Sequence, residues 1–282
     1  MKYYVLFNLK SGKENGDIET ELLKTSLKDE ELLFENLQEI EDYKEYIASI
    51  KDKGNIILCG GDGTLNYFIN NTYDLEFEND VLLYSRGSGN DFARELGKEK
   101  TEEPFSIKEY LKKLPFVLVN GMKRRFINGV GYGIDGYCCE EGDKLHAQNK
   151  KVDYTMIAIM GLLFKYKPTN ATVIVDGVEY NFKNVWLAPT MVGKYYGGGM
   201  MPCPKQDRFS NKVSLMVFHG SGKLQTLMIF PSIFKGEHVK NDKNVFVLEG
   251  EKVTVKFDSP RPLQIDGETV LDVSEYTVER DY

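Results

Sequence analysis

Histidine is nearly missing from this chain of 282 residues: His146, His219 and His238 stand far apart, and none belongs to an HExxH arrangement. A zinc protease is left without its ligands and a Ser-His-Asp hydrolase without its base. Cysteine is equally sparse, with four residues at 59, 138, 139 and 203 and no CxxC spacing. An adjacent pair such as Cys138 and Cys139 neither chelates a metal readily nor bridges without strain, so all four read as reduced core thiols. Basic charge is in deficit too. The net charge of −7 excludes a general field for nucleic acid or anionic membrane, leaving room only for a local basic patch. The opening MKYYVLF has one lysine and a short apolar stretch before polar sequence begins, too little for a secretory core, so a cytoplasmic protein is expected. Long apolar runs are lacking as well: the longest, TMIAIMGLLF from Thr155 to Phe164, is about half of what spans a bilayer. Its plain reading is a buried helix, and its less common one the wall of a lipid-tail pocket. No tract of low complexity or repeat of fixed period occurs.

What is present suits a packed protein of one large or two smaller domains, with 41% hydrophobic and 12% aromatic residues. The first part alternates between strand and helix signals. YYVLF, LLFENL, NIILC and VLLYS read as strands; DIETELLKTSL, EDYKEYIASIKDK, the stretch after GGDGT, the stretch after GSGND and EPFSIKEYLKKL read as helices. That order predicts a parallel α/β sheet. From Pro115 onward the period changes to two, in FVLVNG, RRFINGVGYG, TVIVDGVEYNF, NVWLAPTMV, VSLMVFHG, NVFVLEGEKVTVKFD and RPLQIDGETVLDV, with DG and EG turns between several of them. A second, antiparallel β domain is expected, with a helix near 151–166. The domains are placed at 1–117 and 118–282.

Two glycine-rich turns follow strands and so fall at the carboxyl edge of the sheet, where α/β proteins bind ligands. In CGGDGTLN, Gly60, Gly61 and Gly63 let backbone N–H groups approach an anion, and the helix that Thr64 enters favours phosphate at its amino end. Asp62 in the middle of this turn needs a partner that makes its charge useful. A Mg²⁺ recruited by phosphate would serve, and so would a hydroxyl that Asp62 orients and deprotonates; closing a tight turn is the plainer alternative. The turn is not a P-loop, and GSGNDF is not a dinucleotide fingerprint, because Phe92 stands at its last glycine position. NLKSGK, Asn8 to Lys13, brings Ser11, Gly12 and a lysine to the same edge, and RGSGNDFAREL adds Ser88 and Asn90 as donors. NGVGYGIDG brings Asp135 to a strand end, and LQIDGETV sets Asp266 and Glu268 around Gly267, a pattern that a hairpin turn explains without any function.

Taken in order, NLKSGK, GGDGTLN, GSGNDFAREL, GYGID, GGGMMP and IDGE resemble the bacterial diacylglycerol kinase family, related to sphingosine and ceramide kinases and more distantly to NAD kinases. The likeness runs over nearly the whole chain. It implies an N-terminal three-layer α/β nucleotide-binding domain, a C-terminal antiparallel β-sandwich domain, ATP in the cleft between them, and transfer of the γ-phosphate to a lipid hydroxyl. Carried over residue by residue, Asn8, Ser11, Gly12, Lys13, Gly61, Asp62, Gly63, Thr64 and Asn66 would hold the phosphates, and Ser88 and Asn90 would line the nucleotide site. Glu268 stands at the family's proton acceptor, with Asp62, Asp135 and Asp266 in an acidic cluster around Mg²⁺; Asp62 and Asp266 are alternatives for the base. A positioned carboxylate suits the task, since a lipid alcohol is a poor nucleophile whose proton leaves late in a loose transition state.

The chain departs from the family pattern at several positions. Leu9 and Ser85 replace prolines, and the segment linked to a structural Mg²⁺ in some members reads DRFSNK here, Asp207 to Lys212, with only Asp207 left to offer an oxygen. The expected substrate is a lipid, most simply diacylglycerol giving phosphatidic acid. Alternatives are NAD kinase-like phosphorylation of a soluble acceptor and a non-catalytic nucleotide- or lipid-binding regulator. Expected partners are the lipid and the inner membrane face, with no nucleic acid; an unpaired edge of the β domain would offer a route to a homodimer. Leu224 to Lys243 joins apolar residues to Lys235, His238, Lys240 and Lys243, and reads first as a helix on the sandwich beside a solvated lysine loop, with a segment resting on an anionic membrane surface as the alternative.

Overall fold

A computed structural model describes residues 1–8, 16–51, 53–99 and 101–280, with the side chains of 16–20 left aside. The chain divides into two compact units, Met1–Leu114 and Pro115–Tyr282.

In unit 1 the apolar run of each strand is too short for a helix, and the runs of the three central strands are buried on both faces, as a sheet between helical layers requires. The order is β1 (Lys2–Phe7), α1 (Gly16–Ser26), β2 (Glu31–Asn36), α2 (Tyr43–Ile50), β3 (Asn55–Gly60), α3 (Asp62–Thr72), β4 (Val81–Ser85), α4 (Asp91–Glu95) and β5 (Phe105–Ser106). The strands lie side by side as β2-β1-β3-β4-β5, all parallel except β5. Val5, Ile57, Cys59 and Tyr84 pack on one face with Leu23 of α1, while Tyr4, Leu6, Ile56, Leu58 and Leu83 are buried on the other. Asp42 starts α2 by accepting the N–H groups of Lys44 and Glu45. The helix expected over EPFSIKEYLKKL does not form. Phe105 and Ser106 pair with Leu83 and Leu82 at the sheet edge, which leaves one 3₁₀ turn, Lys108–Leu111, before Lys113 turns left-handed at φ 53°.

Unit 2 is β-rich: β6 (Pro115–Val119), β7 (Met122–Arg125), β8 (Gly129–Tyr132), α5 (Ile134–Ala147), α6 (Tyr154–Met160) running into a π-helical turn (Gly161–Lys165), β9 (Thr169–Val175), β10 (Val178–Leu187), β11 (Thr190–Met191), β12 (Val213–His219), α7 (Lys223–Ile229), β13 (Val245–Gly250), β14 (Lys252–Ile265) and β15 (Glu268–Arg280). The pairings named for this sheet are antiparallel, and the long β14 pairs with β9 along Val253–Phe257 and with β8 along Leu263–Ile265. One strand thus serves both layers of the sandwich. Alternation sorts the core: Val213, Leu215 and Val217 of β12 fill the sandwich, while Met216 and Phe218 face a second core shared with α5, α6 and α7. The DG turn between β9 and β10 has Asp176 and Gly177 at φ 49° and 84°, the hairpin geometry that sequence pair favours. The four cysteines form no disulfide.

TMIAIMGLLF is not a buried helix. Gly161 and Leu162 are buried, but Met156, Ile159, Met160 and Phe164 are exposed.

Candidate functional site

The sheet order of unit 1 places Asn8 and the two glycine turns at the ends of three adjacent strands. From β1 the chain crosses to β2 on one side, and from β3 it crosses to β4 on the other, so the switch point lies between β1 and β3. Asn8 follows β1 at this edge, Gly61 to Gly63 follow β3, and Arg86 to Asn90 follow β4. Ser11, Gly12 and Lys13 lie outside the described residues.

The two glycine turns touch through their backbones. A Cβ on Gly61 would lie 2.7 Å from the Gly87 Cα, and one on Gly87 would lie 2.4 Å from the Gly61 Cα, so neither position admits a side chain. Asp62 binds the turns together: its carboxylate accepts the N–H groups of Asp91 at 2.9 Å and Phe92 at 3.0 Å, capping α4. That is the physical reason for a negative charge among these glycines. Gly63 is different, since a Cβ there would meet no other segment within 4 Å among the described residues. The N-cap of α3 is Gly61 and offers no side-chain acceptor, so the first-turn N–H groups of this helix suit an incoming phosphate. Thr64 and Asn66 are buried inside the turn and helix, and the Asn66 side-chain oxygen accepts from Asn70.

Beside the second turn lies a cavity of about 470 Å³, lined by Arg86, Gly87, Ser88, Asn90, Arg94 and Glu102 among others. Ser88 is exposed in this lining. Asn90, in the left-handed region at φ 50°, spends its amide closing the turn: its oxygen accepts from the Gly87 N–H and its NH₂ donates to the Gly87 carbonyl. Arg86, which sequence reading passed over, stacks its guanidinium 3.8 Å from the Tyr84 ring centre and donates to the carbonyls of Ser85 and Thr101.

In unit 2 the three expected carboxylates have different surroundings. Asp266 sits in the left-handed region of the β14–β15 turn at φ 47°, and its carboxylate accepts three backbone N–H groups, from Ile127 at 2.7 Å and from Asn128 and Gly129 at 2.9 Å. It fixes the start of β8. Glu268, half-exposed, is held through one oxygen by the Arg124 guanidinium. Asp135, in the first turn of α5, is 8% exposed, and burial pushes its carboxyl up to about 6. The side chains of Tyr196 and Gln264 beside it favour its charge, yet Oδ2 receives no hydrogen bond of ordinary geometry. Gly131 makes room for it, because a Cβ there would collide with that oxygen. Arg124, Gln264 and Tyr196 were not singled out in the sequence. The basic pair RR ahead of FINGVG and the Gln two places before DG were the only signals.

The donor set does not build a caged metal site. Within each unit, and among the described residues, no three His, Cys, Asp or Glu side chains gather as they would around an ion. Asp62 and Asp266 are committed to backbone N–H groups, and Glu268 to Arg124. In the DRFSNK loop, Asp207 accepts the Phe209 N–H, and the buried Gln206 amide donates to the carbonyls of Asp207 and Lys212 at 2.9 and 3.1 Å. An amide thus crosslinks the ends of this loop; Asp62 belongs to the first unit, and Asp135 and Asp207 to the second. A Mg²⁺ that arrives on nucleotide phosphates needs no protein cage, since it keeps phosphate and water oxygens as its main ligands.

With this geometry in place, the chain was compared with known proteins. Residues 2–114 match the diacylglycerol kinase catalytic domain, and residues 128–278 match the YegS C-terminal NAD kinase beta sandwich-like domain. A diacylglycerol kinase of Mycobacterium tuberculosis is 24% identical over 213 residues, 72% of this chain and 67% of its own. One from Bacillus subtilis is 24% identical over 232 residues, 78% and 73% of the two chains. In structure, a diacylglycerol kinase from Bacillus anthracis superposes with a TM-score of 0.61 at 18% identity, covering 99% of this chain and 93% of the other. The α/β unit that carries the glycine turns and the β-rich unit that carries the DGE hairpin thus match the two halves of one enzyme type, and the chain belongs to the bacterial diacylglycerol kinase-like family of lipid kinases.

Proposed function

We propose that the protein transfers the γ-phosphate of ATP, supplied as its Mg²⁺ complex, to the hydroxyl of diacylglycerol, giving phosphatidic acid. The observation that carries the nucleotide part is the junction of the two glycine turns at Gly61 and Gly87, beside the amino end of α3, whose N-cap Gly61 has no side chain, and beside Gly63. Backbone N–H groups there suit the phosphates, and the adjoining cavity suits the rest of the nucleotide. Bound Mg²⁺ supplies charge neutralisation of the phosphates.

Unit 2 supplies the proton acceptor. Of the carboxylates weighed for that role, Asp62 and Asp266 have both oxygens engaged by backbone N–H groups, whereas among the described residues Glu268 has a hydrogen bond at one oxygen alone, from Arg124. Geometry therefore favours Glu268 as the group that takes the acceptor hydroxyl's proton as the phosphoryl group transfers.

The test is transfer of label from γ-labelled ATP to mixed-micelle diacylglycerol, monoacylglycerol, ceramide, sphingosine and a polyprenol, with NAD as a soluble control. Diacylglycerol is expected to be labelled, and Glu268→Gln to lower kcat by roughly 10²–10⁴ with the KM for ATP little changed. Label on NAD alone, or full activity in the variant, would overturn the respective assignment.

A further inference from the structure

Two segments of unit 2 expose apolar side chains out of proportion to their surroundings. Along α6 and its π-helical turn, Met156 is 55% exposed and Phe164 68%, with Ile159 and Met160 also open; along α7, Leu224 and Met228 are 73% and 74% exposed. The expectation that Leu224–Lys243 packs its apolar residues on the sandwich holds for only part of the segment, such as Ile229 and Ile233. The two exposures belong to one surface. Leu162 and Ile229 pack in the same core, α7 contacts the π-turn, and the Lys223 ammonium donates to the Leu163 carbonyl at 2.8 Å. The π-turn has a local effect, since its wider coil departs from the α-helical face where Phe164 stands.

Charge selects the occupant. The chain carries a net charge of −7, yet residues 154–175 hold Lys165 and Lys167, and residues 221–236 hold Lys223 and Lys235, with no Asp or Glu in either segment. All four lysines are exposed. Acidic groups stand at the border, where Asp153 caps α6, Glu141 pairs with Lys144 and approaches Lys165 at 3.8 Å, and Glu237 pairs with Lys240 just past the second segment. Large apolar side chains open to water and rimmed by lysines, on an otherwise acidic protein, fit the interface of an anionic bilayer: chains enter the headgroup boundary while ammonium groups meet lipid phosphates.

We infer that α6, its π-turn and α7 form a docking surface for an anionic membrane, with Phe164, Leu224 and Met228 as inserting residues and Lys165, Lys167, Lys223 and Lys235 as the charged rim. The inference deepens the reading that the acceptor is a membrane lipid, because an enzyme with such a substrate has to meet it at an interface.

Co-sedimentation of the full chain with vesicles of phosphatidylcholine, with and without phosphatidylglycerol, tests this without relying on catalysis. The wild type is expected to bind the anionic vesicles, with binding that falls as salt rises. Phe164→Ser/Leu224→Ser/Met228→Ser and Lys165→Glu/Lys167→Glu are each expected to weaken it by about tenfold or more. Thermal unfolding checks that the variants remain folded, and phosphorylation of a short-chain diacylglycerol dispersed as monomers is expected to be unchanged in both. Vesicle binding lost in the variants supports the surface even if diacylglycerol proves not to be the acceptor. Equal binding by wild type and variants overturns the surface while leaving the kinase reading intact. A wild type that ignores vesicles but forms a dimer that the triple variant abolishes overturns it in favour of a second copy of the chain.

Discussion

Asp135 shows how a single residue can bind the enzyme's pH behaviour to its site. Its carboxyl lies near 6 in the folded protein against an ordinary 3.8, because burial disfavours the charge. The folded state therefore holds this proton more tightly than the unfolded chain. Its contribution is fully present below about pH 4 and is lost as pH rises through 6, a change of about 3 kcal/mol at most. Asp135→Asn removes the titration, so the stability of the variant relative to wild type should rise by that order between pH 4 and pH 7 in urea unfolding. A difference that stays flat across this range would refute the burial argument. Asp62 and Asp266 teach a complementary lesson. Their positions in DG pairs were plain in the sequence, but their work, collecting N–H groups from Asp91 and Phe92 or from Ile127 to Gly129, depends on backbone that lies 29 to 139 residues away. No local pattern contains that information.

Among the elements, the two glycine turns give the sharpest contrast. Gly87→Ala sets a Cβ 2.4 Å from the Gly61 Cα and 2.9 Å from the Asn90 side-chain oxygen, so it is expected to destabilise the protein by about 1–3 kcal/mol. A Cβ in Gly63→Ala meets no atom of another segment within 4 Å among the described residues and suits a helix start, so stability should hold while the KM for ATP rises. Denaturant unfolding and ATP titration of the two variants separate packing from ligand approach; equal stability loss in both would refute the distinction. Strands and turns of this kind were legible from apolar runs and DG pairs because their signals are local. The segment after Pro104 was not: its helical pattern loses to a sheet edge that captures Phe105 and Ser106. TMIAIMGLLF failed for a related reason, since apolar composition alone does not say whether a neighbouring element covers the outer face.

At the scale of the molecule, each unit has its own core. Val5, Ile57, Cys59 and Tyr84 anchor the first, and the β-sandwich set around Tyr132, Leu215 and Val255 anchors the second. Residues 115–282 expressed alone are therefore expected to unfold cooperatively in denaturant, as an independent core permits. A non-cooperative change would show that the second unit depends on the first. Sequence by itself determined the succession of an α/β unit and a β unit and the placing of glycine turns after strands, because apolar periodicity and backbone-permissive residues act over a few positions; the family was legible in the order of its short motifs. Only the tertiary structure decided which carboxylates are spent on backbone N–H groups and which apolar residues face water. Those outcomes depend on what distant segments bring to the same place, and neighbouring residues carry no record of it.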